Sequence, residues 1–218
     1  MSKPIRLLKP EKVCYNKPLA IIVNPNAGRK RDPRPLIKAR LDMAGIPFEF
    51  LLSTRPSMSW EISANIDFDK YSGIISVGGD GTLHDVVNGM LNRTDKKRLP
   101  IGVIPNGSAN GAAEAISIQT IDEALDYILK GDSIKIDVTK VLLDHEEEEE
   151  LVGDPDKFSK FRYQLLINCI GFGTTVTRRA LNWKWCCCIS PYVVAGLIEI
   201  PKLKYDKVDI YNDGHLIF

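Results

Sequence analysis

From Leu19 onward, short apolar runs alternate with helix-length amphipathic segments. Leu19–Val23 (LAIIV) predicts a buried strand that stops at Asn24-Pro25. Residues 34–44 carry a helical pattern, Phe48–Leu52 reads as a second strand, and residues 60–66 as a short helix. Tyr71–Val77 (YSGIISV) predicts a third strand running straight into Gly78-Gly79-Asp80-Gly81. In the next segment, Thr82–Leu91, the residues Leu83, Val86, Val87, Met90 and Leu91 recur at helical spacing. His84, Asp85 and Asn88 fall on the opposite face; they read either as surface polars or as groups able to reach a ligand at the preceding loop. Ile101–Ile104 predicts a fourth strand, broken at Pro105-Asn106-Gly107 ahead of a helix starting near Ser108, and residues 121–129 form a further helix. Such a β-α-β-α rhythm implies an α/β fold, a parallel sheet with helices on both faces.

After that helix the pattern changes. Residues 133–143 and 161–169 are strand-like and flank an acidic insert at 144–156 that contains Glu146–Glu150. Adjacent like charges repel, so the insert is expected to be solvated. The chain therefore divides into a basic N-terminal arm (1–18), an α/β domain (19–132) and the opening portion of a β-rich domain (133–218). The first twenty residues hold five basic groups and one acid, which suits a solvated arm.

Composition narrows the functional classes. With 44% hydrophobic residues in 218, the chain can bury a full core, which excludes a disordered tail and a disulfide mini-protein. Its 29 basic and 28 acidic residues give a net charge of +1, so bulk charge offers no reason to expect nucleic acid as a partner. Five cysteines, Cys14, Cys169 and the adjacent Cys186–Cys188, make a poor disulfide framework and point to a reducing, cytoplasmic setting. No Cys/His spacing suggests zinc. The N-terminus lacks the apolar core of a secretory signal. The longest apolar stretch, Cys186–Ile198, is 13 residues long and interrupted by Pro191 and Gly196, too short for a transmembrane segment. Trp183, Trp185 and the three cysteines read as buried packing or as a patch that touches a membrane.

Three loops follow three strands at their carboxyl ends: Asn24–Lys30 (NPNAGRK), Gly78–Thr82 (GGDGT) and Asn106–Gly111 (NGSANG). In an open parallel sheet that edge is where ligands bind. Glycines let backbone amides approach phosphate closely, and helix N-termini favour anions, so three such loops on one edge point to a polyphosphate nucleotide. Asp80 admits two readings. It can cap the helix that follows, or, as a single carboxylate among phosphate-binding amides, it can meet a metal or a hydroxyl proton in phosphoryl transfer. Neither a GxxxxGK[ST] loop nor a GxGxxG fingerprint is present.

GGDGTLHDVVNG, then IGVIPNGSANG, with NPNAG upstream, resembles the catalytic domain of the diacylglycerol kinase and sphingosine kinase family, most of all the eukaryotic sphingosine and ceramide kinases. GGDGT alone is shared with NAD kinases; the order of the three loops favours lipid kinases. The resemblance implies an NAD kinase/diacylglycerol kinase-like fold. It implies nucleotide contacts from Asn24, Pro25, Asn26, Thr54, Gly78, Gly79, Gly81, Thr82, Asp85, Gly107, Ser108 and Ala109. Asp80 is implied as general base on a lipid hydroxyl or as part of a magnesium site, with ATP and Mg2+ as cofactors and a lipid taken from a membrane surface into a cleft between the two domains. On this resemblance the chain is expected to be an ATP-dependent lipid kinase acting on a sphingoid base, ceramide or diacylglycerol, and to stop partway through the β-rich domain.

Two departures from the family pattern bear on the lipid and on the nucleotide site. Sphingosine kinases place acidic residues shortly after the GF of the second domain, whereas Gly171-Phe172-Gly173 is followed here by Thr174, Thr175, Val176 and Thr177. A neutral threonine cannot pair with an ammonium group as a carboxylate does. Arg178 and Arg179 come next and read as the start of a helix. The family's later acidic segment has its nearest counterpart in Asn212-Asp213-Gly214-His215. The alternatives are an NAD kinase-like phosphotransferase with a soluble substrate and a truncated, non-catalytic nucleotide-binding module.

Overall fold

A computed structural model describes residues 10–28, 32–142, 161–166, 171–181, 191–203, 211–212 and 215–216. The acidic insert, Cys169, Trp183, Trp185, Cys186–Cys188 and Asp213-Gly214 lie outside the described residues.

The chain enters through a two-residue strand, β1 (Glu11–Lys12), and then alternates: β2 (Leu19–Val23), α1 (Arg34–Met43), β3 (Phe48–Leu52), α2 (Met58–Ala64), β4 (Gly73–Gly78), α3 (Asp80–Leu91) and β5 (Ile101–Pro105). Two helices, α4 (Gly111–Ala115) and α5 (Ile121–Lys130), complete this run. Strands β2 to β5 form one sheet in the order β3-β2-β4-β5, and each neighbouring pair is parallel. This is the expected α/β architecture.

Strand alternation sorts the apolar side chains between two layers. Leu19, Ile21 and Val23 of β2 and Ile75 and Val77 of β4 join Ile37 and Leu41 of α1 and Leu125 and Ile128 of α5 in one cluster. Ala20 and Ile22 of β2 and Ile74 of β4 join Val86 and Met90 of α3 in the other. Because both faces are covered, the strands are apolar throughout rather than alternating, as buried parallel strands must be. Each Leu, Ile or Val removed from water in this way contributes about 1.5–3 kcal/mol.

On the second face α2 and α3 pack closely. A Cβ on Gly89 would overlap the Trp60 carbonyl oxygen and come within 3.0 Å of the Ser63 side chain, and Ser63 Oγ donates to the Val86 carbonyl at 2.6 Å. On the first face Thr120 starts α5 with a reciprocal cap. Its hydroxyl accepts the Glu123 N–H at 3.2 Å while Glu123 accepts the Thr120 N–H at 3.1 Å, satisfying two helix-end donors.

The N-terminal arm departs from expectation. From Glu11 onward it is tied to the domain: β1 pairs with β6 (Asp132–Ser133), Val13 donates to Gly131, and Lys17 reaches the Phe68 carbonyl at 3.0 Å. Charge alone suggested a solvated segment, but its polar backbone finds partners more than a hundred residues away. The strand expected over 133–143 is split into β6 and β7 (Thr139–Leu142), and β7 pairs antiparallel with β8 (Phe161–Gln164).

Contacts divide the chain into residues 1–166 and a second unit, 167–218. The described part of the second unit holds α6 (Phe172–Leu181), α7 (Pro191–Glu199), a 3-10 turn at Ile200–Lys202, and the short hairpin β9 (Tyr211–Asn212) and β10 (His215–Leu216). Arg178 and Arg179 stand in the last turn of α6 rather than at its start, where cations suit the helix dipole. Arg179 pairs with the buried Glu199 of α7.

Candidate functional site

The strand order reverses direction around β2: the chain steps to β3 on one side, then crosses to β4 on the other. That makes the carboxyl ends of β2 and β4 a topological switch point, the place where such sheets open a crevice. The first two loops leave from these ends, and the third leaves from β5 beside them.

Backbone and side-chain bonds gather the three loops. The Asn24 N–H donates to Val77 at 3.1 Å and the Asn106 N–H to Gly78 at 2.8 Å. Asn24 Nδ2 donates to Thr82 Oγ1 at 3.2 Å, and Asn24 Oδ1 folds its own loop by accepting the Asn26 N–H at 2.9 Å. Gly28 adopts φ +72°, and a Cβ there would lie 2.5 Å from the Asn106 carbonyl oxygen. A Cβ on Gly79 would lie 3.1 Å from Gly107 Cα, and one on Gly107 would overlap Gly79 Cα. Side chains at these positions would force the second and third loops apart.

Asp80 is the first residue of α3, and no side chain caps that helix. The capping reading therefore fails for its own helix and holds for another: Asp80 Oδ2 accepts the Gly111 N–H at 3.1 Å and Oδ1 the Ala112 N–H at 2.9 Å. The carboxylate is thus fixed between the GGDGT turn and the start of α4. This narrows the expectation that the helix N-termini behind all three loops favour anions. α1 begins only at Arg34, behind Pro33, and α4 already has Asp80; of the helices that follow these three loops, among the described residues, α3 keeps its N-terminus for an anion, with Gly81 open on its side-chain face.

The third loop is closed by Asn110, whose Oδ1 accepts the Gly107 N–H at 2.7 Å and whose Nδ2 donates to the Gly107 carbonyl at 3.1 Å. Asn110 sits at φ 57°, a left-handed conformation that asparagine tolerates better than most side chains. Ser108 and Ala109 are exposed at the tip of this turn. Thr54 follows β3 on the same sheet edge, exposed, with its N–H 3.4 Å from Met58 Sδ. Pro25 and Asn26 are exposed as well.

Asp85 lies further along α3, half-buried, with Arg162 of β8 as its electrostatic neighbour. Burial raises its carboxyl to about 6, and Arg162 opposes that rise. His84 keeps much of its surface in solvent, yet the protein around its ring lowers its pKa and Arg162 lowers it further. Asn88 corrects the view of this face as solvated: it is 0% exposed. Its Nδ2 donates to the Tyr163 carbonyl at 2.8 Å, and its Oδ1 accepts the Tyr163 N–H at 2.7 Å. Arg162 and Tyr163 carry no local signal in the sequence, and Asn110 only that of its small-residue context.

No cluster of three or more His, Cys, Asp or Glu among the described residues could hold a metal by itself. Magnesium held against phosphates needs only one or two carboxylates, the remaining positions being water and phosphate oxygens. Asp80 meets that smaller demand, since each of its oxygens keeps a lone pair after accepting one N–H.

The family model for the diacylglycerol kinase catalytic domain matches residues 18–141. The chain belongs to this family. The matched diacylglycerol kinase catalytic domain segment ends in β7 and contains all three loops. Among curated relatives, sphingosine kinase 1 of Arabidopsis thaliana is 38% identical over 106 residues, covering 46% of this chain and 22% of that protein. A diacylglycerol kinase of Staphylococcus carnosus is 34% identical over 124 residues, covering 56% of this chain and 40% of that protein. A solved diacylglycerol kinase from Bacillus anthracis aligns at 26% identity with a TM-score of 0.46, covering 52% of this chain and 42% of that one. The chain thus spans less than half the length of these relatives. No described helix of this family member is long and apolar enough to cross a membrane.

Proposed function

We propose that this chain is the nucleotide-binding part of an ATP- and magnesium-dependent lipid kinase that transfers the γ-phosphoryl group to a lipid hydroxyl of a sphingoid base, ceramide or diacylglycerol. The observation that carries the reading is the placement of Asp80. A single carboxylate is held by the Gly111 and Ala112 amides at the switch-point edge, among glycines that leave the loops' backbone bare. Family membership supports a lipid acceptor over NAD, and relatives named for sphingosine and for diacylglycerol leave the lipid open between those classes.

In this reading Asn24, Pro25 and Asn26, Thr54, Gly78, Gly79, Gly81 and Thr82, Asp85, and Gly107, Ser108 and Ala109 hold the nucleotide. The first-turn amides of α3 face its phosphates. Asp80 accepts the proton of the lipid hydroxyl as that oxygen attacks the γ-phosphorus and the bond from the γ-phosphorus to the bridging oxygen breaks, releasing ADP; or, with its remaining lone pairs, Asp80 holds Mg2+. Magnesium supplies neutralisation of the phosphate charge. Asn24 and Asn110 keep the loops in register, so that the carboxylate and the amides stay fixed relative to one another. The lipid is drawn from a membrane surface on the cytoplasmic side.

The test is radiolabelled phosphate transfer from ATP to a total lipid extract, with mass spectrometry of the product. Asp80→Asn is expected to reduce transfer by roughly 100-fold or more, the usual worth of a general base; unchanged transfer would remove Asp80 from the chemistry. Phosphorylation of NAD in a lipid-free assay would instead favour the soluble-substrate alternative. ATP binding without turnover on any acceptor would favour a non-catalytic module, a reading to which the double engagement of Asp80 by backbone amides lends support.

A further inference from the structure

Two buried side-chain atoms among the described residues have no hydrogen-bond partner, Asn106 Oδ1 and Gln164 Oε1. Buried acceptors are nearly always satisfied in folded proteins, so an orphan asks for a donor. Asn106 is the better defined of the two. It is 6% exposed and begins the third loop, against the end of the first: its N–H is held by Gly78, and its Nδ2 points to the Ala27 carbonyl across a long 3.5 Å. Its Oδ1 is 3.9 Å from the position a Cβ on Gly28 would take. The acceptor is therefore roofed by the end of the first loop, where Gly28 itself is exposed.

We propose that Asn106 is a nucleotide-specificity residue whose Oδ1 accepts a hydrogen bond from a ribose hydroxyl or the 6-amino group of the bound nucleotide. The inference rests on the phosphotransfer reading above. An acceptor cannot serve the phosphates, which themselves only accept; on ATP the donors are the two ribose hydroxyls and the adenine amine. Only the long Nδ2 contact ties this roof to Asn106 itself, the Ala27 N–H turning back to the Asn24 carbonyl at 3.1 Å within its own loop, so a small displacement of the Ala27–Gly28 end uncovers the atom and exchanges a weak contact for a satisfied one. The Asn106 backbone stays anchored to Gly78 meanwhile, which keeps the acceptor in place.

The experiment is calorimetric binding to the full chain, with magnesium present, of ATP, 2′-deoxyATP, 3′-deoxyATP and the purine nucleotide lacking the 6-amino group. The unmodified chain is expected to bind one of the three analogues about 5-fold more weakly than ATP, the worth of one hydrogen bond. Asn106→Leu, similar in size but without an acceptor, is expected to lose that discrimination and to bind ATP as weakly as the disfavoured analogue. A flat analogue series in the unmodified chain overturns the proposal even if the variant fails to fold. So does equal weakening of all four nucleotides in Asn106→Leu. A flat series together with a raised KM for lipid in the variant would move the donor to the lipid alcohol and likewise overturn the assignment. Absence of any ATP binding in the unmodified chain would sink the kinase reading as well, whereas binding without discrimination sinks this inference alone.

Discussion

One asparagine side chain, Asn88, satisfies both backbone groups of one residue, Tyr163. The amide acts as a strand neighbour would, so β8 is pinned onto α3 at a point 75 residues away in sequence. Alanine at position 88 would leave the Tyr163 N–H and C=O without their partner in a partly buried place. Asn88→Ala is expected to lower stability by about 2–4 kcal/mol, read from the midpoint of urea unfolding. A loss under 1 kcal/mol would mean that water replaces the side chain.

Gly89 makes a second structural prediction. Because a Cβ would meet the backbone of Trp60 and Ala64 rather than a flexible side chain, α2 and α3 must separate to admit one. Gly89→Ala is expected to destabilise by about 1–3 kcal/mol, even though alanine is the better helix former. A raised melting temperature would show that the helices yield at no cost.

Asp80 should separate stability from chemistry. Asp80→Ala releases the Gly111 and Ala112 amides and is expected to cost about 1–2 kcal/mol of stability. Asp80→Asn retains one acceptor for those amides and should cost less while still reducing transfer by roughly 100-fold or more. Measuring both melting temperature and phosphotransfer in the two variants checks the split; transfer that survives in Asp80→Asn and falls only as the melting temperature falls would make Asp80 solely a structural clamp.

The Asp85 carboxyl carries a pH signature. Its pKa is raised from 3.8 to about 6 in the folded chain by burial. Between those values the native state binds more protons than the unfolded one, so the group's stabilising contribution is fully present below about pH 4 and is lost as pH rises through 6. Above pH 6 the half-buried carboxylate is a net burden of no more than about 3 kcal/mol, the attraction of Arg162 already included. Asp85→Asn is therefore expected to raise stability at pH 7 and to flatten the decline between pH 4 and 6 in urea titrations. A stability loss at pH 7 would mean that the attraction to Arg162 outweighs burial.

The sheet was legible because strands covered on both faces must be continuous apolar runs, and LAIIV and GIISV are unmistakable as such. The three loops were legible because glycine clusters after a strand have few other uses. What escaped was set by partners distant in sequence. Asn88 sits on the helix face opposite the apolar stripe, where a polar residue normally meets water, and only the return of β8 buries it. Glu11 and Lys12 have no apolar pattern at all; their pairing with Ser133 and Asp132 exists because backbone groups, which every residue carries, find each other there. The capping of α4 by Asp80 joins positions 31 and 32 residues apart and leaves no periodic trace.

The antiparallel pairing of β1 with β6 brings the entry and exit of the α/β layers to a single seam. Layers joined where they begin and end can be reopened elsewhere. Joining Glu11 to Ser133 through a short linker and cutting at the exposed turn after Arg93 would make a circular permutant with the same sheet order. Segments attached on either side would then share one mooring on the surface, well suited to grafting.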